Sequence, residues 1–289
     1  MTAPPARPTR TTVDVDAVTA LVQHVADTVV TPRFRALVDG DVSEKSPGDL
    51  VTVVDLAAEA ALVAGLGDLT PGVPVVGEEG VDADPTTLRT IATAERVWVV
   101  DPIDGTQAFV DGHPDHAVMV ALVEDGVPVG GWICLPQHGR MFVATRGGGA
   151  WLNGARLTRP APDLAALRGA VATAFLRSPA LPPDVRQRVD QGVARLGGGV
   201  RTSNRLWSGA AYARIASGED DVAFYWRTKP WDHSPGAVLL REVGGVSLRI
   251  DGSDYRSDDA VEGLVVAASR EAAEHVLREL DPIGWHAAR

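Results

Sequence analysis

The sequence predicts a mixed α/β protein, on three observations. Short apolar runs rich in β-branched residues, such as 96–100 and 117–123, are typical of strands. Longer segments with apolar residues at helical spacing, such as 13–38 and 208–216, alternate with these runs. At 289 residues, 45% of them hydrophobic, the chain is long enough to bury a large core in one large domain or two smaller ones.

After a proline-rich tail, predicted to be flexible over residues 1–12, residues 13–160 are predicted to form an N-terminal α+β part. Residues 13–38 indicate a first helix. Thr52 followed by Asp55 resembles a capping box and predicts the start of a second helix, which Gly67 is expected to end.

Strands and hairpins are predicted to follow in this part. A strand at 73–76 leads into Gly77-Glu78-Glu79-Gly80, and the strand at 96–100 should stop near Pro102, which cannot donate to a ladder. Two hairpins are predicted, with strands at 117–123, 127–134, 141–145 and 150–152. The glycines at 147–149 lack the Lys-Ser/Thr of a phosphate loop, so we interpret them as a turn.

Residues 161–289 are predicted to form a C-terminal α/β part that begins within a Pro- and Ala-rich boundary at 158–168. Ser234, Pro235 and Gly244 have the positions of an N-cap, a first helical residue and a C-terminal stop. The predicted elements are strands at 169–174 and 222–226 and helices at 183–196, 208–216, 235–243 and, after Ser269, to about 280.

Charge and cysteine content exclude several classes of function. A net charge of -11, from 38 acidic and 27 basic residues, disfavours nucleic acid and anionic membranes as main partners. The single cysteine, Cys134, rules out a disulfide framework and a cysteine zinc site. With no apolar signal-peptide segment and no membrane-length apolar run, the expected compartment is the cytoplasm.

Acidic residues recur at the ends of predicted elements rather than on their faces. Each has a local explanation, such as a helix cap, a solvated turn or an Asp-Gly turn. If they converge, the carboxylates repel one another unless a cation lies between them. Oxygen ligands without cysteine or paired histidines favour Mg²⁺, with Mn²⁺ as the alternative. The positions are Asp55, Glu78, Glu79, Asp101, Asp104 and Asp232.

Together these segments resemble the inositol monophosphatase family of Mg²⁺-dependent, lithium-sensitive sugar phosphatases. The resemblance spans roughly residues 13–275. It implies a layered αβαβα sandwich, hydrolysis of a small phosphate monoester, and a homodimer. The matching segments are Lys45 with DLVTVVD (49–55), GEE (77–79), WVVDPIDGT (98–106), PWDHSPG (230–236) and EVGG (242–245).

The resemblance also implies which residues hold two Mg²⁺ ions, with a third, weaker ion near Glu78. The first ion would be held by Glu78, Asp101 and the backbone carbonyl of Ile103. The second would be held by Asp101, Asp104 and Asp232.

The same resemblance implies the remaining roles at the site. Thr106, paired with Asp55, would orient the attacking water and help to deprotonate it. Gly105 and Thr106 would offer backbone N–H groups to the phosphate. Lys45 would lie in a mobile loop that closes over the site, and the charge of Glu79 would act on a water-bound metal or on Lys45.

The sequence departs from the family where inositol would bind. Members that prefer inositol phosphates place a Glu about seven residues before the last metal aspartate, whereas residues 225–229 here hold no carboxylate. Arg227 and Lys229 are therefore candidates for binding a second anionic group, or are simply a solvated loop. We expect a best substrate other than plain myo-inositol monophosphate.

The substrate class stays open among several small phosphates. Candidates are inositol phosphates, histidinol phosphate, other sugar phosphates, fructose-1,6-bisphosphate and a nucleotide 3′-phosphate. The alternatives are a bisphosphate phosphatase, a secreted phosphatase, and a non-catalytic regulator on the same fold that binds a protein or RNA. The complete set of acidic residues and Thr106 favours catalysis over a degenerate binder.

Overall fold

A computed structural model of the protein describes residues 13–46, 48–173, 183–259 and 261–280. The predicted tail at 1–12 and the end of the predicted strand at Ala174 lie outside these ranges. The helices are α1 Val15–Val25, α2 Val53–Leu69, α3 Glu78–Ala83, α4 Thr90–Thr93, α5 Thr106–Val110, α6 Pro183–Arg195, α7 Ser208–Ala216, α8 Pro230–Glu242 and α9 Arg270–Leu280.

The strands form two large sheets and a small hairpin. The first two strands, β1 and β2, pair only with each other. The strands of the seven-stranded sheet end before residue 157, and those of the five-stranded sheet begin after residue 168. The strands are β1 Val42–Ser46, β2 Asp49–Thr52, β3 Val75–Gly77, β4 Arg96–Asp104, β5 Ala117–Glu124, β6 Val127–Leu135, β7 Arg140–Thr145, β8 Gly149–Leu152, β9 Ala155–Arg156, β10 Gly169–Ala172, β11 Val200–Ser203, β12 Val222–Tyr225, β13 Val246–Arg249 and β14 Leu264–Ala267.

These elements stack as α, β, α, β and α layers, which confirms the expected fold. Helices α1 and α2 cover one face of a seven-stranded sheet of order β3-β4-β5-β6-β7-β8-β9. Helices α7 and α8 pack between that sheet and a five-stranded sheet of order β11-β10-β12-β14-β13. Helices α6 and α9 cover the outer face of the second sheet. No helix in the described ranges is both long and apolar enough to cross a membrane.

Successive side chains of β4 point to opposite faces of the first sheet, so this strand packs against both neighbouring layers. Trp98 and Val100 point to the core shared with α1 and α2, whereas Val97 and Val99 contact the core that contains Trp231 of α8. At Gly131 the sheet leaves no room for a side chain, because a Cβ atom there would lie 2.3 Å from the carbonyl oxygen of Pro235. Helix α8 therefore crosses the sheet at close range.

Three predicted element ends are wrong. The first helix does not run regularly to residue 38, because π- and 3₁₀-helical turns replace α1 after Val25 and end at Arg33. Helix α2 continues through Gly67 to Leu69. Strand β4 passes through Pro102 and ends at Asp104.

The start of α8 is also earlier than predicted. Pro230, not Pro235, is the first helical residue, and Ser234 lies inside the helix rather than capping it. The Ser234 hydroxyl is fully buried and lies 2.8 Å from the Ser257 hydroxyl. The side chain that was predicted to cap the helix therefore makes a tertiary hydrogen bond instead. The earlier start places Asp232 in the first turn of α8, where a negative charge is favoured by the helix dipole.

Candidate active site

A bulge in β4 places Asp101 and Asp104 on one face of the first sheet. Residues three apart on a regular strand point to opposite faces. Here Asp101 pairs with Met119 and Asp104 with Ala117, so β4 uses one more residue than β5 between the two pairs. Met119 and Ala117 both face the α7–α8 layer. Both carboxylates therefore point into that layer, which the predicted stop at Pro102 did not anticipate.

Asp232 joins these two aspartates from the first turn of α8. One carboxylate oxygen from each of Asp101, Asp104 and Asp232 lies within 4.8 Å of the others. Asp101 and Asp104 are buried and Asp232 is half-buried. The three line a cleft of about 300 Å³ whose wall also includes Glu78 and Thr106. The sequence-predicted convergence is therefore present in the structure.

The crowding of these carboxylates disfavours their charged forms. Burial raises the pKa of Asp101 well above its ordinary value, and the charges of Glu78, Asp104 and Asp232 raise it further. Burial, followed by the charges of Asp104 and Glu78, likewise raises the pKa of Asp232. Oδ1 of Asp101 is buried with no hydrogen-bond partner among the described residues. An unpaired, buried acceptor among like charges fits a divalent cation in the donor set.

Helix α7 holds Asp104 in place through groups that the sequence reasoning missed. The backbone N–H and the hydroxyl of Ser208 donate to Oδ1 of Asp104 at 3.2 and 2.6 Å. The backbone N–H of Gly209 donates to Oδ2 at 2.8 Å. The predicted helix start at residue 208 could have indicated this contact, because the free N–H groups at a helix start bind carboxylates.

Thr106 and Asp55 form a pair beside the bulge. The Thr106 hydroxyl lies 3.1 Å from Oδ1 of Asp55 and 3.2 Å from the carbonyl oxygen of Ile103. The other Asp55 oxygen accepts hydrogen bonds from the backbone N–H and the hydroxyl of Thr52, which confirms the predicted capping box. Burial raises the pKa of Asp55, against these hydrogen bonds. The cap at the start of α2 thus fixes the orientation of a carboxylate in the site.

Gly105 connects the strand to the short helix that starts with Thr106. Its φ of 80° lies in the left-handed region, and a Cβ atom there would lie 2.9 Å from the Trp207 ring. Gly105 and Thr106 both line the cleft. Glycine is therefore required at the turn by backbone conformation and by the indole packed against it.

Lys45, on the β1–β2 hairpin, contacts the acidic segment after β3. Its Nζ atom lies 2.8 Å from Glu79, 3.4 Å from Glu78 and 2.6 Å from Asp82. Burial opposes the charge of Lys45, but the Glu78 charge and the bonds to Asp82 and Glu79 outweigh it and raise its pKa. Of the two roles open for Glu79, the structure shows the contact with Lys45.

Glu59 is a second residue that the sequence reasoning missed. It lies on α2 and accepts hydrogen bonds from the backbone N–H groups of Glu79 and Gly80, at 2.8 and 2.7 Å. Burial raises the pKa of Glu78 and that of Glu79 to about 7 in each case. Glu59 therefore orients the Glu78–Gly80 segment, whose own carboxylates are poorly solvated. No local sequence motif predicts this role of Glu59.

Arg227 and Lys229 occupy different places. Arg227 is exposed and lines the cleft. Lys229 is not part of the cleft wall, and its Nζ atom lies 4.9 Å from the ring centroid of Trp231. Trp226 is buried and lines the cleft, while Trp231 belongs to the core beneath it.

Comparison with known proteins places this geometry in one family. The family model described as the inositol monophosphatase family matches residues 11–284. The inositol-1-monophosphatase of Bacillus subtilis is 32% identical, over 74% of this chain and 77% of its own length. The histidinol-phosphatase of Mycobacterium tuberculosis is 34% identical, over 78% and 84%. The crystal structure of the extragenic suppressor protein suhB from Bartonella henselae has a TM-score of 0.75 at 22% identity, covering 92% of this chain and 97% of its own.

Proposed function

Because the chain belongs to the inositol monophosphatase family, we propose that it hydrolyses a small phosphate monoester with the help of Mg²⁺. The observation that carries the proposal is the convergence of Asp101, Asp104 and Asp232, whose carboxylate oxygens lie within 4.8 Å of one another at the wall of a cleft. A phosphate monoester is among the slowest substrates to hydrolyse unaided, so the site must lower a large barrier.

The donor set would hold two cations. Asp101, Asp104 and Asp232 would hold one, and Glu78, Asp101 and the carbonyl oxygen of Ile103 would hold the other, with a third, weaker ion near Glu78. When bound, such cations neutralise the phosphate, lower the pKa of a water molecule and stabilise the leaving oxygen. The four carboxylates would match the charge of two Mg²⁺ ions, so an acidic protein can accept a phosphate dianion here.

Thr106 and Asp55 would handle the proton of the attacking water. A threonine hydroxyl that donates to Asp55 keeps its lone pairs free to accept a hydrogen bond from water. As the water attacks phosphorus, its proton passes to Thr106 Oγ1 and the threonine proton passes to Asp55. Burial raises the pKa of Asp55, which supports its role as the final acceptor.

The remaining chain groups would bind and enclose the phosphate. The backbone N–H groups of Gly105 and Thr106 would donate to its oxygens at the start of α5. Lys45 would keep the β1–β2 hairpin against Glu79 at the mouth of the site. Closing the site in this way excludes water and strengthens every electrostatic contact inside it.

The substrate is proposed to carry a second anionic group rather than to be plain myo-inositol monophosphate. No carboxylate stands in residues 225–229, so that segment offers inositol hydroxyls no charged acceptor. Arg227, an exposed residue on the cleft wall, suits a second phosphate or a carboxylate instead. Lys229 would contribute charge from behind the wall. The names of the two relatives point to different alcohols, so they leave this choice open.

A non-catalytic regulator remains the alternative, and the intact acidic set disfavours it. We also propose a homodimer, on family membership alone. Sedimentation velocity that shows only a monomer at micromolar concentration would contradict the dimer without touching the phosphatase proposal.

Phosphate release in the presence of Mg²⁺ tests the proposed function. The panel should contain inositol 1-phosphate, histidinol phosphate, fructose-1,6-bisphosphate and a nucleotide 3′-phosphate. We expect Mg²⁺-dependent release that Asp104→Asn lowers by more than about a hundredfold, because the variant removes a charged ligand. Asp68→Asn, at an exposed site on α2, is the matched control and should leave the rate unchanged. No release from any substrate, or full activity in Asp104→Asn, would contradict the proposal.

A further inference from the structure

The three tyrosines of the chain are all buried, but only two of their hydroxyls have hydrogen-bond partners within the part of the chain that the structure describes. The Tyr212 hydroxyl lies 3.3 Å from Nδ1 of His233, and the Tyr255 hydroxyl lies 3.3 Å from the hydroxyl of Ser234. The Tyr225 hydroxyl is buried and has no hydrogen-bond partner among the described residues. Buried polar groups are rarely left unpaired in native proteins, so this one calls for an explanation.

The position of Tyr225 suggests where a partner would come from. It is the last residue of β12, and with Ala223 it points into the α7–α8 layer. Its ring lines the active-site cleft and lies 4.9 Å, centroid to centroid, from the ring of His233. His233 follows Asp232 directly on α8. Tyr225 and Asp232 therefore line one cleft, and the Tyr225 hydroxyl itself is buried.

Of the three clustered aspartates, Asp101 and Asp232 accept no hydrogen bond from a described residue, and the charge of Asp232 is among those that raise the pKa of Tyr225. Three groups of α7 already donate to the two oxygens of Asp104. None of the hydrogen bonds between described residues ends on Asp232, although carboxylates that bind a metal are commonly held by a further donor. Burial raises the pKa of Tyr225 well above its ordinary value, so its hydroxyl keeps a proton to donate.

We propose that Tyr225 is a positioning residue of the metal site, whose hydroxyl donates to one oxygen of Asp232 while the other oxygen binds a cation. Both residues line the same cleft, and the charge of Asp232 acts on Tyr225. The hydrogen bond orients Asp232 toward the cation and gives the buried hydroxyl the partner that it lacks. This role rests on the metal site of the proposed function.

Calorimetric titration with Mn²⁺ tests the role without relying on turnover. Tyr225→Phe removes only the hydroxyl, and we expect it to bind Mn²⁺ about tenfold more weakly than the wild type, as when other second-sphere donors are removed. Its midpoint of thermal unfolding without metal should equal or exceed that of the wild type, because no bond inside the metal-free protein is lost.

Tyr255→Phe is the matched control, because its hydroxyl is equally buried but has a protein partner. We expect it to bind Mn²⁺ like the wild type and to unfold about 2 °C lower. Two results would overturn the proposal: unchanged Mn²⁺ affinity in Tyr225→Phe, or a loss of metal-free stability in Tyr225→Phe as large as in Tyr255→Phe. A wild type that binds no Mn²⁺ overturns it together with the metal site, whereas a wild type that binds Mn²⁺ but releases no phosphate contradicts only the proposed function.

Discussion

Asp101 and Asp104 point to the same side of β4, although they are three residues apart, because a bulge adds one residue between them. Without the bulge, one of the two carboxylates would face the opposite core, against α1 and α2. Pro102, which donates no backbone hydrogen bond, lies inside this irregular stretch. The bulge is therefore the backbone feature that brings both aspartates to the side of the sheet where we propose the cation site.

Asp101→Asn should make the metal-free protein more stable. Asp101 is buried among Glu78, Asp104 and Asp232, and burial followed by their charges raises its pKa, so an uncharged side chain of the same size relieves repulsion. We expect Mg²⁺ to stabilise the folded wild type and the same change to abolish that stabilisation. Thermal unfolding with and without Mg²⁺ measures both effects. A less stable metal-free variant that still responds to Mg²⁺ would show that Asp101 is a structural acceptor.

Thr106→Ala should lower kcat by about two to four orders of magnitude and leave KM nearly unchanged, because the hydroxyl acts on the water rather than on the bound substrate. The hydroxyl lies 3.1 Å from Oδ1 of Asp55, so the pair is already aligned. Thr106→Ser keeps the hydroxyl and is expected to retain most of the activity. Steady-state kinetics of the three proteins decide the matter, and an alanine variant with wild-type kcat would remove Thr106 from the proton path.

Arg227→Ala should weaken binding of substrates with a second anionic group. Arg227 lines the cleft, and loss of a charge-assisted hydrogen bond corresponds to about a tenfold to hundredfold rise in KM. Lys229→Ala is the natural comparison, because its ammonium group lies over the Trp231 ring rather than in the cleft wall, and a smaller effect is expected. kcat/KM for fructose-1,6-bisphosphate and inositol 1-phosphate should be measured in parallel. Preference for inositol 1-phosphate in the wild type, with both variants unaffected, would show that this segment only faces solvent.

The lowered pKa of His116 should make the folded protein less stable in mild acid than at neutral pH. Burial, together with the charges of neighbouring histidines, lowers its pKa in the folded state from 6.5 to about 4 against the opposing effect of a backbone hydrogen bond and Asp115. As the pH falls, His116 therefore binds a proton in the unfolded chain before it does so in the folded protein. The contribution of His116 is complete above pH 6.5 and is lost as the pH falls toward 4, by about 3 kcal/mol.

Urea unfolding of wild type and His116→Phe at pH 7.5 and pH 4.5 isolates this effect. The His116 ring packs against Phe34 and Phe109, at centroid distances of 4.9 and 5.1 Å, so phenylalanine keeps an aromatic ring there without a titrating group. The wild type should lose more stability than the variant between the two pH values. Equal losses would mean that His116 does not titrate differently in the folded and unfolded states.

The local parts of the site were predictable from the sequence, and the long-range parts were not. The Thr52–Asp55 cap and the acidic residues at element ends have local signatures, and the convergence expected for Asp101, Asp104 and Asp232 is present in the structure. The bulge was missed because proline signals a strand end as readily as an irregular strand. Ser234 looked like a cap because only the fold reveals that Ser257 occupies its hydroxyl.

The supporting contacts of the site also lie beyond local patterns. Ser208 hydrogen-bonds to Asp104 although α7 lies about a hundred residues further along the chain. Glu59 on α2 accepts hydrogen bonds from the backbone N–H groups of Glu79 and Gly80 on α3. Such residues have no fixed spacing from the groups that they hold. They become visible only when the packing of α7 and α2 against the sheet is known.

Crystallography with Mn²⁺ tests the central claim, that this cleft is a divalent-cation site, most directly. Data collected at the manganese absorption edge should show an anomalous peak within about 2.2 Å of oxygens from Asp101, Asp104 and Asp232. The peak should be absent from crystals of Asp104→Asn grown in the same way. The claim would be contradicted if manganese were found only at other places in the protein. It would also be contradicted if no manganese bound between the three carboxylates at saturating Mn²⁺.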